Sequence, residues 1–262
     1  MTFNKYVVPL LIFFGVLMSP DISIAEEKKT IAVDTSKALD PSRPKTKIFS
    51  RYEFKEDEAG NEISVIDSLY DFPINNDWSV RLQAPVKYRN PVSTAESETG
   101  MGDITVRIAN KTFTTDGGSP WFLALETKWD TASDVTLGSG KNRVAPTLFG
   151  FVKVPSLGLL LFPQIQTFFT MGGDDSRTDV NFTSFKLPIL KKLANRYYFF
   201  VEPFFAWDHA RDEQSTGTIE LEYGRFVNPS TMLYIRPGTT LWGDDSAFSF
   251  KYNMEIGFRL FL

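Results

Sequence analysis

The sequence has no cysteine and a single histidine. The first absence excludes a disulfide framework and any thiolate metal site. Positive charge is also short: 28 Lys and Arg stand against 32 Asp and Glu, a net charge of −4. That balance gives no basic patch for a nucleic-acid partner. No Gly-x-Ser-x-Gly elbow and no phosphate-cradling glycine loop occurs, so the chain offers no nucleotide-type cofactor site and no serine-hydrolase nucleophile. Long apolar runs are scarce as well. Residues 154–173 carry no charge, but Pro155, Gly158 and Pro163 interrupt them, and Gln164 and Gln166 alternate with Ile165 and Thr167. A membrane helix is the wrong reading of such a segment.

Aromatic residues are abundant, with 24 Phe, 9 Tyr and 5 Trp, although mean hydropathy is slightly negative. Dense aromatics without overall hydrophobicity fit a sheet with one lipid face and one wet face. The first 25 residues stand apart. Residues 1–5 hold one Lys, residues 6–18 are apolar, and the polar stretch 19–25 ends Ser23-Ile24-Ala25. This is the pattern of an export signal cleaved near Ala25. The alternative, an uncleaved anchor, is disfavoured because a span takes ~20 apolar residues. Residues 26–45 are charged, include Pro41 and Pro44, and read as a flexible periplasmic extension.

From residue 46 the pattern changes to runs of about ten residues with period two, separated by Gly, Asp, Asn and Pro clusters. In 78–89, Trp78, Val80, Leu82, Ala84, Val86 and Tyr88 share one face and Ser79, Arg81, Gln83, Pro85, Lys87 and Arg89 the other. Only a strand separates them. The pattern predicts twelve strands, at 46–55, 62–74, 78–89, 102–113, 120–130, 143–154, 158–170, 179–189, 197–208, 217–227, 231–242 and 247–262. The last is expected to put Phe248, Phe250, Tyr252, Met254, Ile256, Phe258, Leu260 and Leu262 on one apolar face. An even number of strands, with the longest connections (90–101 and 131–142) after odd-numbered ones, predicts an all-β transmembrane antiparallel up-and-down barrel in the bacterial outer membrane. Trp78 and Trp121 fall at the predicted periplasmic end, and Trp129, Trp207 and Trp242 at the outer end, though Trp242 has inward parity. Trp121 and Trp129 share a face some 20–25 Å apart vertically, about the height of a barrel's apolar band. A soluble β-sandwich or lipocalin-like barrel shares the alternation, but has no reason for aromatics at both strand ends.

Charged side chains with inward parity are candidates for lining the lumen: Arg81, Lys87, Arg107, Glu126 and Lys128 in the third to fifth strands, and Glu202, Glu220, Arg236, Lys251, Glu255 and Arg259 in the last four. Facing lipid, an Arg or Lys costs about 2–4 kcal/mol at mid-bilayer. They form either a closed salt-bridge network or a solute-selecting lining. Phe149, Phe151, Phe162, Phe168, Phe200 and Phe204 fall on the same inner face and are candidates for an apolar ligand surface. The clusters Glu56-Asp57-Glu58, Gly173-Asp174-Asp175 and Asp244-Asp245 lie in predicted outer loops. They lack a calcium-loop spacing and read as solvated turns rather than a metal site. His209 has Arg211 two residues on, where outer-membrane phospholipases of twelve strands place a serine, so a lipid-modifying enzyme is disfavoured.

Thr99-Gly100-Met101-Gly102-Asp103, with residues 124–130 and Asp134-Val135-Thr136-Leu137-Gly138-Ser139-Gly140, resembles the family of transporters of the meta-pathway of phenol degradation. Here Thr131-Ala132-Ser133-Asp134 departs from that family's Pro-Thr-Gly-Asp. The resemblance implies outer-membrane passage of small, often aromatic, compounds. The last strand also resembles the signal read by the barrel-assembly machinery, departing from a terminal Phe with Leu262. The expected function is therefore a channel for small hydrophobic or aromatic solutes, set among outer-membrane lipids and lipopolysaccharide, and without catalysis. The alternatives are a closed structural or adhesive barrel and a lipid-modifying enzyme.

Overall fold

Period-two sequences fold here into one antiparallel sheet that closes on itself, which removes the unpaired edges a membrane cannot tolerate. The computed structural model describes residues 45–93, 96–243 and 248–262. The expectations for 1–25, for 26–44 and for Asp244-Asp245 lie outside the described residues.

The strands are β1 (Lys47–Glu56), β2 (Glu62–Pro73), β3 (Trp78–Asn90), the short β4 (Glu98–Met101), β5 (Ile104–Thr114), β6 (Pro120–Trp129), β7 (Lys141–Gly150) and β8 (Val152–Val154). After a short 3₁₀ turn follow β9 (Leu159–Leu161), β10 (Gln164–Gly173), β11 (Asn181–Lys186), β12 (Ile189–Lys192), β13 (Tyr197–Asp208), β14 (Gln214–Asn228), β15 (Thr231–Trp242) and β16 (Tyr252–Phe261). Most strands pair with their sequence neighbours, and β1 pairs with β16, Lys47 opposite Phe261. The ring closes through β10, β11 and β13. Counting β7 with β8, β9 with β10 and β11 with β12 as interrupted single crossings, and β4 as an addition on β3, the sheet is a closed twelve-stranded barrel.

The interruptions were not expected, and two of the three fall at a proline. Gly150, Pro163 and Pro188 break three successive crossings, and the neighbouring amides of Gly150, Phe162 and Leu187 bond across to the carbonyls of Pro163, Pro188 and Pro203. Proline has no amide to give to the ladder, so a row of prolines bends the wall there.

The outer surface is apolar. Ile66, Leu82, Ile108, Leu123, Leu125, Ile165, Phe169, Leu221 and Phe258 are all exposed. A continuous apolar surface of this kind fits contact with lipid. Trp78, Trp129, Trp207 and Trp242 are exposed near its two borders.

Two expectations about faces need correction. Trp242 does not point inward. The register shifts between Gly217 and Thr218, which pair with Trp242 and Thr240, so Leu241 is an extra residue that flips the parity. The Trp242 ring lies 5.5 Å from Phe205 on the outside. Phe248 and Phe250 are not part of the lipid face either. The last strand begins only at Tyr252, and before it the chain folds inward. Phe250 is buried beneath the Lys55 ammonium, and Phe248 packs 4.4 Å from Phe182.

Candidate functional site

Every second side chain points into the barrel, and the interior has two unlike walls. On the ionic wall, cation and carboxylate sit opposite each other on paired strands. Arg81 reaches Asp71 at 2.6 Å, and Arg107 reaches Glu126 at 2.6 Å. Arg51 bridges Glu255 at 3.0 Å and Asp67 at 2.9 Å, and Lys186 meets Glu202 at 3.2 Å. The centre of the wall is Glu222, fully buried, which accepts from Arg236 and Arg259 at 2.5 Å each. Arg236 also contacts Glu220 at 3.2 Å, and Asn253 donates to Glu220 at 2.6 Å.

A repeated local device holds this network. Tyr198 lies across its strand partner Gly224 and donates to Glu222 at 2.6 Å. Tyr234 lies across Gly257 and donates to Glu255 at 2.6 Å. In both cases the acid is two residues before the glycine. A Cβ on Gly224 would fall 2.3 Å from the Tyr198 hydroxyl. Glycine leaves space for the ring, and the ring covers the glycine backbone. Gly224→Ala is therefore expected to cost about 1–3 kcal/mol through overpacking, read as a lower denaturant midpoint.

The second wall is aromatic. Phe122 stacks on Phe149 at 5.0 Å, Phe151 meets Phe162 edge-on at 5.2 Å, and Phe162 continues to Phe200 at 6.1 Å. Nearer the outer end, Phe168 stacks on Phe182 at 4.3 Å, and Phe248 bridges Phe182 and Phe204. Between the two walls lies a cavity of about 630 Å³.

Most candidate residues meet there. Arg81, Arg107, Glu126, Glu202, Arg236, Glu255 and Arg259 border the cavity. So do Phe149, Phe151, Phe162, Phe168, Phe200 and Phe204. Glu220 is held behind Arg236, and Lys87 and Lys128 sit closer to the outer mouth. Lys251 was expected inside and is not: its side chain is 62% exposed and pairs with Glu56 at 3.0 Å on the outer rim. The inward fold of the chain before Tyr252 removes Lys251 from the strand pattern. Sequence reading missed Arg51, Asp67 and Asp71. It missed Phe182 because Phe185, on the other face of the same short strand, is equally apolar.

The outer mouth is narrowed by the loop after β6, and the glycine motifs explain how. Leu137 is buried, and the Lys87 ammonium donates to its carbonyl at 2.7 Å. Asp103 accepts from the Ser139 amide and hydroxyl, both at 2.9 Å. A Cβ on Gly100 would collide with Ser133, and one on Gly138 with Asp103 and Ala132. Gly140 has φ +68°, a conformation that favours glycine. The two motif segments thus latch against each other. At the loop's exposed end Asp134 accepts from the Thr136 amide and hydroxyl at 2.7 Å, which holds its carboxyl below the usual range.

The other acidic clusters act in turns. Asp57 bonds the Asn61 amide at 2.8 Å, and Asp174 bonds Ser176. Among the described residues no acidic or histidine group is arranged to hold a metal ion. His209 clamps the outer rim, its Nε2 3.0 Å from the Thr183 hydroxyl and its Nδ1 2.7 Å from Glu213.

A closed twelve-stranded sheet, apolar outside and charged within, is the architecture of porin-like outer-membrane barrels. Solved structures with this architecture include an outer-membrane channel from Pseudomonas putida F1, with TM-score 0.67, 9% identity, and coverage of 84% of this chain and 96% of that one. The NanC porin matches with TM-score 0.58 and 9% identity over 83% of this chain and 100% of its own. The KdgM porin in complex with disordered oligogalacturonate matches with TM-score 0.55 and 11% identity, over 82% and 98%. At these identities the likeness is one of fold. Sequence comparison brings no match, either to a family model or to a curated protein.

Proposed function

We propose that this protein is an outer-membrane channel for small solutes with an apolar or aromatic body. The observation that carries the proposal is the cavity of about 630 Å³ with phenylalanines on one side and paired charges on the other. That volume suits a small organic molecule, with the phenylalanine side offering contact to an apolar body and the charged side to a polar group. The similarity to solved channels and the resemblance to transporters of phenol degradation support the same direction.

A closed structural barrel is the second reading, and the extensive ion pairing around Glu222 favours it. Planar bilayers separate the two. The refolded protein, added to a bilayer, is expected to give discrete single-channel openings that small aromatic alcohols reduce in a concentration-dependent way. Silence from a protein that circular dichroism and heat-modifiable gel migration show to be folded would support the closed barrel. It would leave delivery of apolar solutes sideways into the membrane as the transport route. For a lipid-modifying enzyme the matching assay is release from labelled phospholipid, with no turnover expected.

A further inference from the structure

Not every cation on the inner face has a bonded carboxylate among the described residues. Arg51, Arg81, Arg107, Arg236 and Arg259 each have a carboxylate within 3.0 Å. Lys128 and Arg143, paired across β6 and β7, have no side-chain hydrogen bond or ion pair among the described residues. The Arg143 Nε is fully buried and unpartnered. Lys87 faces the same space, and its ammonium donates to the Leu137 carbonyl at 2.7 Å. Asp103, an acid beside them, accepts through Oδ2 from Ser139, and its Oδ1 is buried without a partner among the described residues.

Lys128 and Arg143 stand inside the barrel without a bonded carboxylate among the described residues, so a further negative charge beside them would be stabilising. The neighbouring surface indicates what accompanies that charge. Arg143 lies beside Thr170 on β10, two residues from Phe168, whose ring stacks on Phe182 and so connects to Phe248. Phe168, Phe182 and Phe248 border the cavity, and Lys128 is the next inward position above Glu126 on its rim. A cationic cluster and an aromatic shelf therefore adjoin near the outer mouth.

We propose that Lys87, Lys128 and Arg143 form an anion-binding subsite, and that with the Phe168–Phe182–Phe248 shelf it binds small aromatic monocarboxylates. This rests on the channel reading and narrows its solute class from aromatic to aromatic and anionic. A carboxylate takes charge-assisted hydrogen bonds from a guanidinium and two ammonium groups, while its ring replaces water on the phenylalanine faces.

The test is isothermal titration calorimetry on the folded protein in neutral detergent, with benzoate, benzyl alcohol and acetate as probes. Benzoate is expected to bind at least about tenfold more tightly than either of the others, the size of one lost charge-assisted bond. Binding should weaken as salt rises. The double variant Lys128→Gln/Arg143→Gln is expected to lose about tenfold or more for benzoate and to leave benzyl alcohol unchanged, and Lys128→Arg should keep benzoate affinity. These variants break no ion pair, so they should fold, which heat-modifiable migration checks. Equal binding of benzoate and benzyl alcohol would overturn the anionic part, and equal binding of benzoate and acetate the aromatic part. No binding of benzoate, or equal affinity in the double variant, would sink the whole proposal. Because calorimetry needs no current, the channel reading can fail in the bilayer while this site stands, and the reverse.

Discussion

Glu222→Gln is expected to destabilise the barrel by about 3–5 kcal/mol, the usual result of stranding one half of a buried ion pair. Glu222 has no exposed surface, and its two oxygens hold Arg236, Arg259 and the Tyr198 hydroxyl. The amide retains the shape and removes the charge. Arg236 keeps Glu220 at 3.2 Å. Arg259 keeps the Tyr198 hydroxyl at 3.3 Å and can still reach the amide oxygen, but among the described residues it loses its bonded carboxylate. The loss comes mainly from that uncompensated guanidinium. Denaturant titration followed by tryptophan fluorescence measures it, and the double variant Glu222→Gln/Arg259→Gln should recover part of the midpoint. If the single variant unfolds at the wild-type midpoint, the network contributes nothing to stability and its role in a closed barrel falls with it.

The second large effect is on the opposite face. Leu125→Arg is expected to cost about 2–4 kcal/mol, because a cation at the bilayer midplane loses its hydration. Leu125 is exposed on β6, four residues from Trp121 and four from Trp129, which puts it midway between the two aromatic borders. The measurement is the folded fraction recovered in lipid vesicles, read by heat-modifiable migration. Leu125→Ala provides the reference, since it shortens the same side chain without adding charge. An Arg variant that folds as well as the Ala variant would mean this face does not meet hydrocarbon.

Much of the architecture was readable from period two alone. The pattern in 78–89 predicted β3 almost to the residue, and residues 197–208 and 231–242 match β13 and β15 as observed. Arg81, Arg107, Glu126, Glu202, Arg236, Glu255, Arg259 and the six phenylalanines all border the cavity. Alternation is a local property of an extended backbone, and burial of one face amplifies it into a visible pattern.

The errors fall where that local rule stops. Trp242 was assigned the wrong face because a single bulged residue shifts parity, and no residue type marks such a bulge. Phe248, Phe250 and Lys251 alternate like a strand, yet the chain there leaves the sheet to fill the outer mouth. Filling an interior is a tertiary demand, and an aromatic suited to lipid is equally suited to a lumen. Pro163 and Pro188 were visible in the sequence, but their alignment into one row depends on how three strands are staggered.

By itself the sequence determined that the chain is an alternating, aromatic-rich, cysteine-free sheet former, and which side chains share a face within each unbroken strand. Tertiary structure decided which charges meet. Glu222 with Arg259 is a contact across 37 residues, and Arg51 with Glu255 across 204. Such distances close only when β1 meets β16 and the stagger between strands is set. The same stagger leaves Lys128 and Arg143 side by side without a bonded carboxylate among the described residues. Charge type is written residue by residue, but charge balance is a property of the closed barrel.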